Sequence, residues 1–378
     1  MSRNRPFAFY EFFAGGGMAR IGLGDGWACA YANDFDPLKA HAYRANFADA
    51  ADHFHEGDVW RTSASDLPGQ ADLAWASSPC QDFSLAGARA GLSGGRSSAF
   101  FGFWRLMSAL NREGRAPRAI VVENVVGLLS SNGGADFTAL CAALAAEGYR
   151  FGALEIDAAR FLPQSRPRVF VVATRGEVHA RLVGESPFHT RAVRAAAAAL
   201  PADLAERWVW WGLQPPPARN SDLASVLEPD ELVAWRSPAR TDALLGLMSD
   251  AHRRRLEAKP GARAVGGVFR RMRVENGQTV QRAEVRLDGL AGCLRTPRGG
   301  SSRQSLVVVE DGLVRSRLIT PREAARLMGL PEGYRLPGSA TGALHVLGDG
   351  VAVPVVRWLS ANLLEPLLAE PATAIAAE

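Results

Sequence analysis

Lysine is nearly missing from this chain: Lys39 and Lys259 are the only two among 378 residues, so arginine supplies almost all of the positive charge. Cysteine is scarce as well. Cys29, Cys80, Cys141 and Cys293 lie far apart without metal-ligand pairing, which argues against a zinc site and against a disulfide framework. No uninterrupted apolar run is long enough to span a bilayer, and no internal repeat is visible. Arg3 and Arg5 precede an apolar start, but Glu11 interrupts it too early for a secretory leader. These absences leave a cytosolic protein with no membrane partner and no metal as the expectation.

What is present is an ordinary globular composition, 47% hydrophobic and 40.5 kDa, enough for one large core and a second lobe. The first half alternates short apolar runs with segments of helical spacing, the pattern of a parallel sheet covered on both faces. Phe7–Phe13, Trp27–Tyr31, Leu73–Ser77, Ala119–Val122 and Val169–Ala173 read as strands. Met18–Gly24, Pro37–Asn46, Ala99–Arg112 and Phe137–Ala146 read as helices. The character changes after about residue 185, where Trp208-Val209-Trp210-Trp211 suits core packing better than base stacking and Pro215-Pro216-Pro217 marks a linker or an extended edge. A β-rich stretch runs from Val265 to Val309, and helix signals return at Pro321–Met328 and Val355–Leu364.

Net charge is only +4, but its distribution is uneven. Residues 251–303 hold thirteen Arg or Lys against four Asp or Glu, a net of +9, while the rest of the chain stands at −5. A basic lobe of this kind favours a polyanion partner, and arginine forks suit phosphates and guanine edges, although arginine enrichment also follows from a GC-rich genome.

Three sheet-edge positions carry chemistry. Ser78-Pro79-Cys80-Gln81 follows one strand, Glu123-Asn124-Val125 ends a second, and Gln164-Ser165-Arg166-Pro167-Arg168 opens a third. A thiol, a carboxyl and guanidinium groups thus stand at neighbouring strand ends, where an open α/β sheet keeps its site. Upstream, Glu11-Phe12-Phe13-Ala14-Gly15-Gly16-Gly17-Met18 is a glycine-rich strand-to-helix turn. Arg20 occupies the place of the third glycine of the dinucleotide fingerprint, which counts against a nicotinamide cofactor. Asp34 and Asp58 follow the next two strands, and two acids without a phosphate-binding lysine suit a nucleoside bearing a cationic sulfonium.

In order and spacing these motifs resemble the DNA cytosine-5 methyltransferases, as do Arg317-Leu318-Ile319-Thr320-Pro321-Arg322-Glu323 and Gly348-Asp349-Gly350-Val351 near the C-terminus. The resemblance covers most of the chain except roughly residues 185–300. It implies a doubly wound, mostly parallel α/β sheet of the S-adenosylmethionine-dependent methyltransferase fold with a smaller inserted lobe. The expected domains are a catalytic and cofactor-binding part, 1–185, a target-recognition part, 186–315, and a closing segment, 316–378.

The same resemblance assigns the site. Cys80 is the nucleophile that adds to carbon 6 of a flipped cytosine, Glu123 holds ring nitrogen N3, Arg166 contacts O2, Arg168 steadies the site, and Asn124 positions the loop around Pro79 and Cys80. S-Adenosylmethionine is the expected cofactor, with Glu11, Phe13, Ala14, Gly15, Gly17, Asp34, Phe35, Asp58, Val59, Pro79, Asp349 and Val351 around it. Met18 and Asp349 depart from the usual glycine and asparagine of the family. DNA contacts are expected from Gln81, Ser84, Arg295, Arg298, Gly299 and Gly300. The implied partner is double-stranded DNA, bound by a monomer, with a cognate restriction endonuclease where one exists. Two rivals remain, a tRNA-directed cytosine-5 methyltransferase and a catalytically silent nucleic-acid-binding protein.

Overall fold

A computed structural model of the chain describes residues 6–78, 99–257, 263–275, 277–296 and 303–369. It divides into two compact units. The first comprises Met1–Ile156, Pro167–Pro217 and Val353–Glu378, and the second Asp157–Arg166 and Ala218–Ala352. The proline run therefore ends where the chain passes from one unit to the other. This division departs from the expected 1–185, 186–315 and 316–378: residues 186–217 go with the first unit, and 316–352 with the second.

The first unit is built on a seven-stranded sheet. In chain order its strands are β1 (Phe7–Phe12), β2 (Trp27–Asp34), β3 (Phe54–Glu56), β4 (Leu73–Ser77), β5 (Ala119–Val125), β6 (Arg150–Asp157) and β7 (Pro167–Thr174). Their spatial order is β3-β2-β1-β4-β5-β7-β6. The pairs β2–β3, β1–β2, β1–β4 and β4–β5 are parallel, and β5–β7 is antiparallel. The chain order reverses between β1 and β4, so the strand ends meeting there form a topological switch point.

Tyr10 and Phe12 on β1 pack with Phe100, Phe103 and Met107 of the helix Ala99–Arg112 on one face of this sheet. On the other face Gly22 of the helix Met18–Leu23 lies against Val356 of the helix Val353–Leu359, where an added Cβ would come within 2.4 Å of the valine Cβ. The tryptophan cluster is core: Trp211 is fully buried and donates from Nε1 to the Val172 carbonyl at 3.2 Å, and Trp208 packs against the main apolar cluster. Ala340–Leu368 is apolar enough to pass for a membrane span, but 61% of that window is buried in the protein. A π-turn, Ser360–Leu364, also interrupts the C-terminal helix expected as Val355–Leu364.

The second unit carries a four-stranded sheet of β8 (Ala264–Glu275), β9 (Gln278–Arg286), β10 (Ser305–Glu310) and β11 (Leu313–Leu318), ordered β11-β10-β8-β9 with antiparallel neighbours. Leu244 and Met248, from the helix Pro238–Gly246 and the turn after it, and Leu256 of the helix Asp250–Glu257 cover one face, against Val268, Val285, Val307 and Val309. The helix Pro321–Leu327 opens with a capping box between Thr320 and Glu323. Glu323 also forms a bidentate pair with Arg317 at 2.6 and 2.7 Å, both side chains fully buried, and accepts from the Glu228 backbone N–H at 2.9 Å.

Candidate active site

The turn after β1 holds an unusual backbone. Phe13 adopts φ 58°, Gly15 φ 57° and Gly17 φ 79°. A left-handed phenylalanine is costly, and the surroundings enforce it. Ala14 N–H donates to the Asn33 carbonyl at 2.9 Å, and Gly15 N–H donates to Asp34 Oδ2 at 2.8 Å. At Gly17 a Cβ would fall 2.2 Å from the Phe47 ring, so only glycine fits, whereas Gly15 faces open space. Met18, the departure from the family pattern, is buried at the start of the helix.

Asp34 is itself buried and accepts a second backbone N–H, from Asp36, at 2.9 Å. Burial pushes its carboxyl up, opposed by Lys39 and the two backbone donors. Next to it Phe35 is 67% exposed, a large aromatic left uncovered. The Gly57 N–H donates to the Asp34 carbonyl, which brings the β3 loop alongside, with Val59 buried and Asp58 capping its own turn through Trp60 N–H at 3.0 Å. Glu11, at 1% exposure, has no well-aligned hydrogen bond to its carboxyl oxygens among the described residues, and burial drives its pKa up to about 8 against the charge and backbone N–H of Arg20. Arg20 in turn binds Asp49 at 2.6 Å and reaches Tyr43 Oη and His53 Nε2.

At the next strand ends Glu123 and Ser77 are register partners on β5 and β4. Asn124 Nδ2 donates to the Ser78 carbonyl at 3.0 Å and to Ser78 Oγ at 3.2 Å, gripping the residue before Pro79 and Cys80. Pro79, Cys80, Gln81 and Ser84 lie outside the described residues, as do Arg298, Gly299 and Gly300. Arg168 Nε stands 3.1 Å from Glu123 Oε1, a largely buried ion pair.

Arg166 lies elsewhere. Expected on the substrate, its buried guanidinium instead donates to the carbonyls of Leu294, Gly348 and Gly350 at 2.9, 2.8 and 2.6 Å and to Cys293 Sγ at 3.3 Å, all within the second unit. A buried guanidinium needs such acceptors for its five N–H groups, and three carbonyls and one sulfur serve Nη1 and Nη2. The arginine that meets Glu123 is Arg168. Gln164, also fully buried, ties the same region by donating to the Leu327 carbonyl and accepting from Leu294 N–H; nothing in the motif had marked it as more than a neighbour.

With a switch-point cofactor turn, acids at the next two strand ends and a paired carboxyl and guanidinium beyond, comparison with known proteins decides the family. The chain matches the C-5 cytosine-specific DNA methylase family over residues 7–365. It belongs to that family. It is 27% identical over 371 residues to the Type II methyltransferase M1.ScrFI of Lactococcus lactis subsp. cremoris, spanning 96% of this chain and 80% of that one. To M.HhaI of Haemophilus parahaemolyticus it is 24% identical over 366 residues, spanning 96% of each. Among solved structures, the Dnmt2 methyltransferase of S. pombe shares the fold with a TM-score of 0.61 at 18% identity, over 96% of this chain and 99% of that one.

The C-5 cytosine-specific DNA methylase uses S-adenosylmethionine as methyl donor, and the cofactor turn fits it. Glu11 offers a buried carboxyl with no side-chain hydrogen bond among the described residues, Phe35 an exposed ring, and Gly15 a backbone that a ligand can approach. Asp349 and Val351, expected near the same cofactor, belong to the second unit; there Val351 is buried and the Asp349 carboxylate accepts from Thr296 Oγ1. Gly348 leaves no room for a Cβ against the Arg295 backbone, 2.6 Å away, while the Arg295 side chain is exposed. Burial pushes the thiols of Cys29, to about 12, and of Cys141 upward, which makes both poor nucleophiles at neutral pH.

Proposed function

We propose that this methylase acts on double-stranded DNA, as a monomer, by flipping a target cytosine and adding the Cys80 thiolate to carbon 6. The Glu123–Arg168 pair carries this reading: at 3.1 Å and largely buried, it presents a carboxyl and a guanidinium side by side, as the N3 and O2 edge of one pyrimidine requires. Glu123 takes N3, and Arg168 takes the O2 contact that the sequence had assigned to Arg166. Asn124 holds Ser78 and so sets the entry to the Pro79-Cys80 loop.

S-Adenosylmethionine supplies the electrophilic methyl group. Asp34 and Asp58 receive its ribose and adenine, Phe35 lies against the adenine, and Phe13, Ala14, Gly15 and Gly17 shape the turn that Glu11 backs. Methyl transfer leaves S-adenosylhomocysteine, water takes the carbon-5 proton, and the thiolate is expelled from carbon 6, restoring Cys80 and giving 5-methylcytosine. Residues 1–185 and the C-terminal segment serve catalysis, and the basic stretch, with Arg295 and Arg298, serves the target. The Type II names of the relatives support a cognate restriction endonuclease as a further partner, and a cytosolic enzyme follows from that setting. Competition between duplex DNA and tRNA for labelled methyl groups tests the substrate: DNA accepts them in the proposed reading, and preferential labelling of tRNA overturns it.

A further inference from the structure

The β8–β9 ribbon runs past its sheet. β10 accompanies β8 only as far as Val268, opposite Ser305, whereas β8 and β9 remain paired out to Glu275 and Gln278. Arg270–Glu275 is exposed along its whole length, so among the described residues two strands project alone. Their faces are chemically different. One carries Arg271, Arg273, Glu275, Arg282 and Glu284, and each of its arginines is ion-paired on it: Glu284 takes Arg271 and Arg273, and Glu275 takes Arg282.

The opposite face continues outward from buried Val268, Ala283 and Val285 to Arg270, Met272, Val274, Thr279 and Gln281. Met272 is 59% and Val274 75% exposed. Among the described residues no side chain partners Arg270, Thr279 or Gln281. Arg236 joins this face, donating to Ser305 Oγ at 2.9 Å, and burial together with the charges of Arg270 and Arg240 lowers its pKa. Three guanidinium groups therefore gather with no carboxylate paired to any of them among the described residues, an arrangement that a polyanion would relieve.

A two-stranded ribbon fits the major groove of B-DNA, where arginine forks onto guanine, glutamine onto adenine, and apolar side chains meet the thymine methyl. We propose that the Arg270, Met272, Val274, Thr279 and Gln281 face of the ribbon enters the major groove of the DNA substrate, with Arg236 and Arg240 on the adjoining phosphates. The inference rests on the reading of the protein as a DNA cytosine methyltransferase and narrows a diffuse basic stretch to one face. The ion-paired face stays in solvent.

The test is bisulfite sequencing of a plasmid library of random duplex sites after methylation by wild type, Arg270→Ala, Gln281→Ala, Arg240→Ala and Arg273→Ala, all checked by thermal melting. Arg270→Ala and Gln281→Ala are expected to lower methylation at the preferred context about tenfold and to relax it. Arg240→Ala should weaken all contexts alike and flatten the salt dependence, and Arg273→Ala should match wild type. Unchanged rate and context in both Arg270→Ala and Gln281→Ala, with wild type active, overturns the ribbon assignment and leaves the methyltransferase reading standing. A changed context in Arg273→Ala alone puts the DNA on the other face and also overturns it. A wild-type protein that methylates no DNA removes both.

Discussion

Glu11 shows how far burial can move a single carboxyl. Its carboxyl is buried without a well-aligned hydrogen bond among the described residues, and its pKa is raised to about 8 from an ordinary 4.5. Between those values the folded state holds a proton that the unfolded state has released. The stability present below pH 4.5 is therefore lost as pH rises toward 8, by an amount on the order of a few kcal/mol. Urea unfolding of the cofactor-free protein from pH 5 to 8 should show this slope, and Glu11→Gln should flatten it; an equal slope in both would assign the titration elsewhere. Asp34 has two tasks, since the oxygens proposed to meet the ribose also hold Gly15 and Asp36. Asp34→Ala should weaken S-adenosylmethionine by about 1.5–3 kcal/mol with DNA affinity nearly unchanged, and calorimetric titration measures both.

Elements were legible where a period ran undisturbed. Pro37–Asn46 and Ala99–Arg112 are helices to the residue, and Leu73–Ser77 is a strand to the residue. β6 was not foreseen. Its run Arg150–Asp157 mixes charged residues with Gly152, a glycine present because a Cβ there would sit 1.9 Å from the Val209 carbonyl, and that demand comes from a segment nearly sixty residues away. β3, at three residues, is too short to show a period. The Arg317-to-Glu323 motif was recognised by resemblance, but its physical content is a buried bidentate pair closing a capping box. Removing one partner strands a buried charge, so Glu323→Ala should cost about 3–5 kcal/mol. Thermal or urea unfolding reads this out; a loss within 0.5 kcal/mol, the range of surface substitutions, would contradict it.

At the scale of the whole molecule, the sheet, its switch point and the cofactor turn could be read from motif order. The division into units could not, because it depends on contacts such as those of Arg166 with Gly348 and Gly350, made across more than 180 positions of sequence. The same contacts underlie the proposal that Arg168, and not Arg166, meets the cytosine O2. Two arginines flank one proline, and only packing distinguishes the one bound to carbonyls from the one beside Glu123. The net charge of +9 already counts Glu275 and Glu284, but it could not show that these two acids pair with Arg271, Arg273 and Arg282 on one face of the β8–β9 ribbon. The central claim, covalent methyl transfer to carbon 5 of cytosine in duplex DNA through Cys80, is tested most directly by bisulfite sequencing of plasmid DNA treated with S-adenosylmethionine and either wild-type protein or Cys80→Ser. Protected cytosines in a defined context with wild type, none with a Cys80→Ser protein that still binds cofactor, is the predicted result, and protection by Cys80→Ser at a near wild-type rate would contradict it.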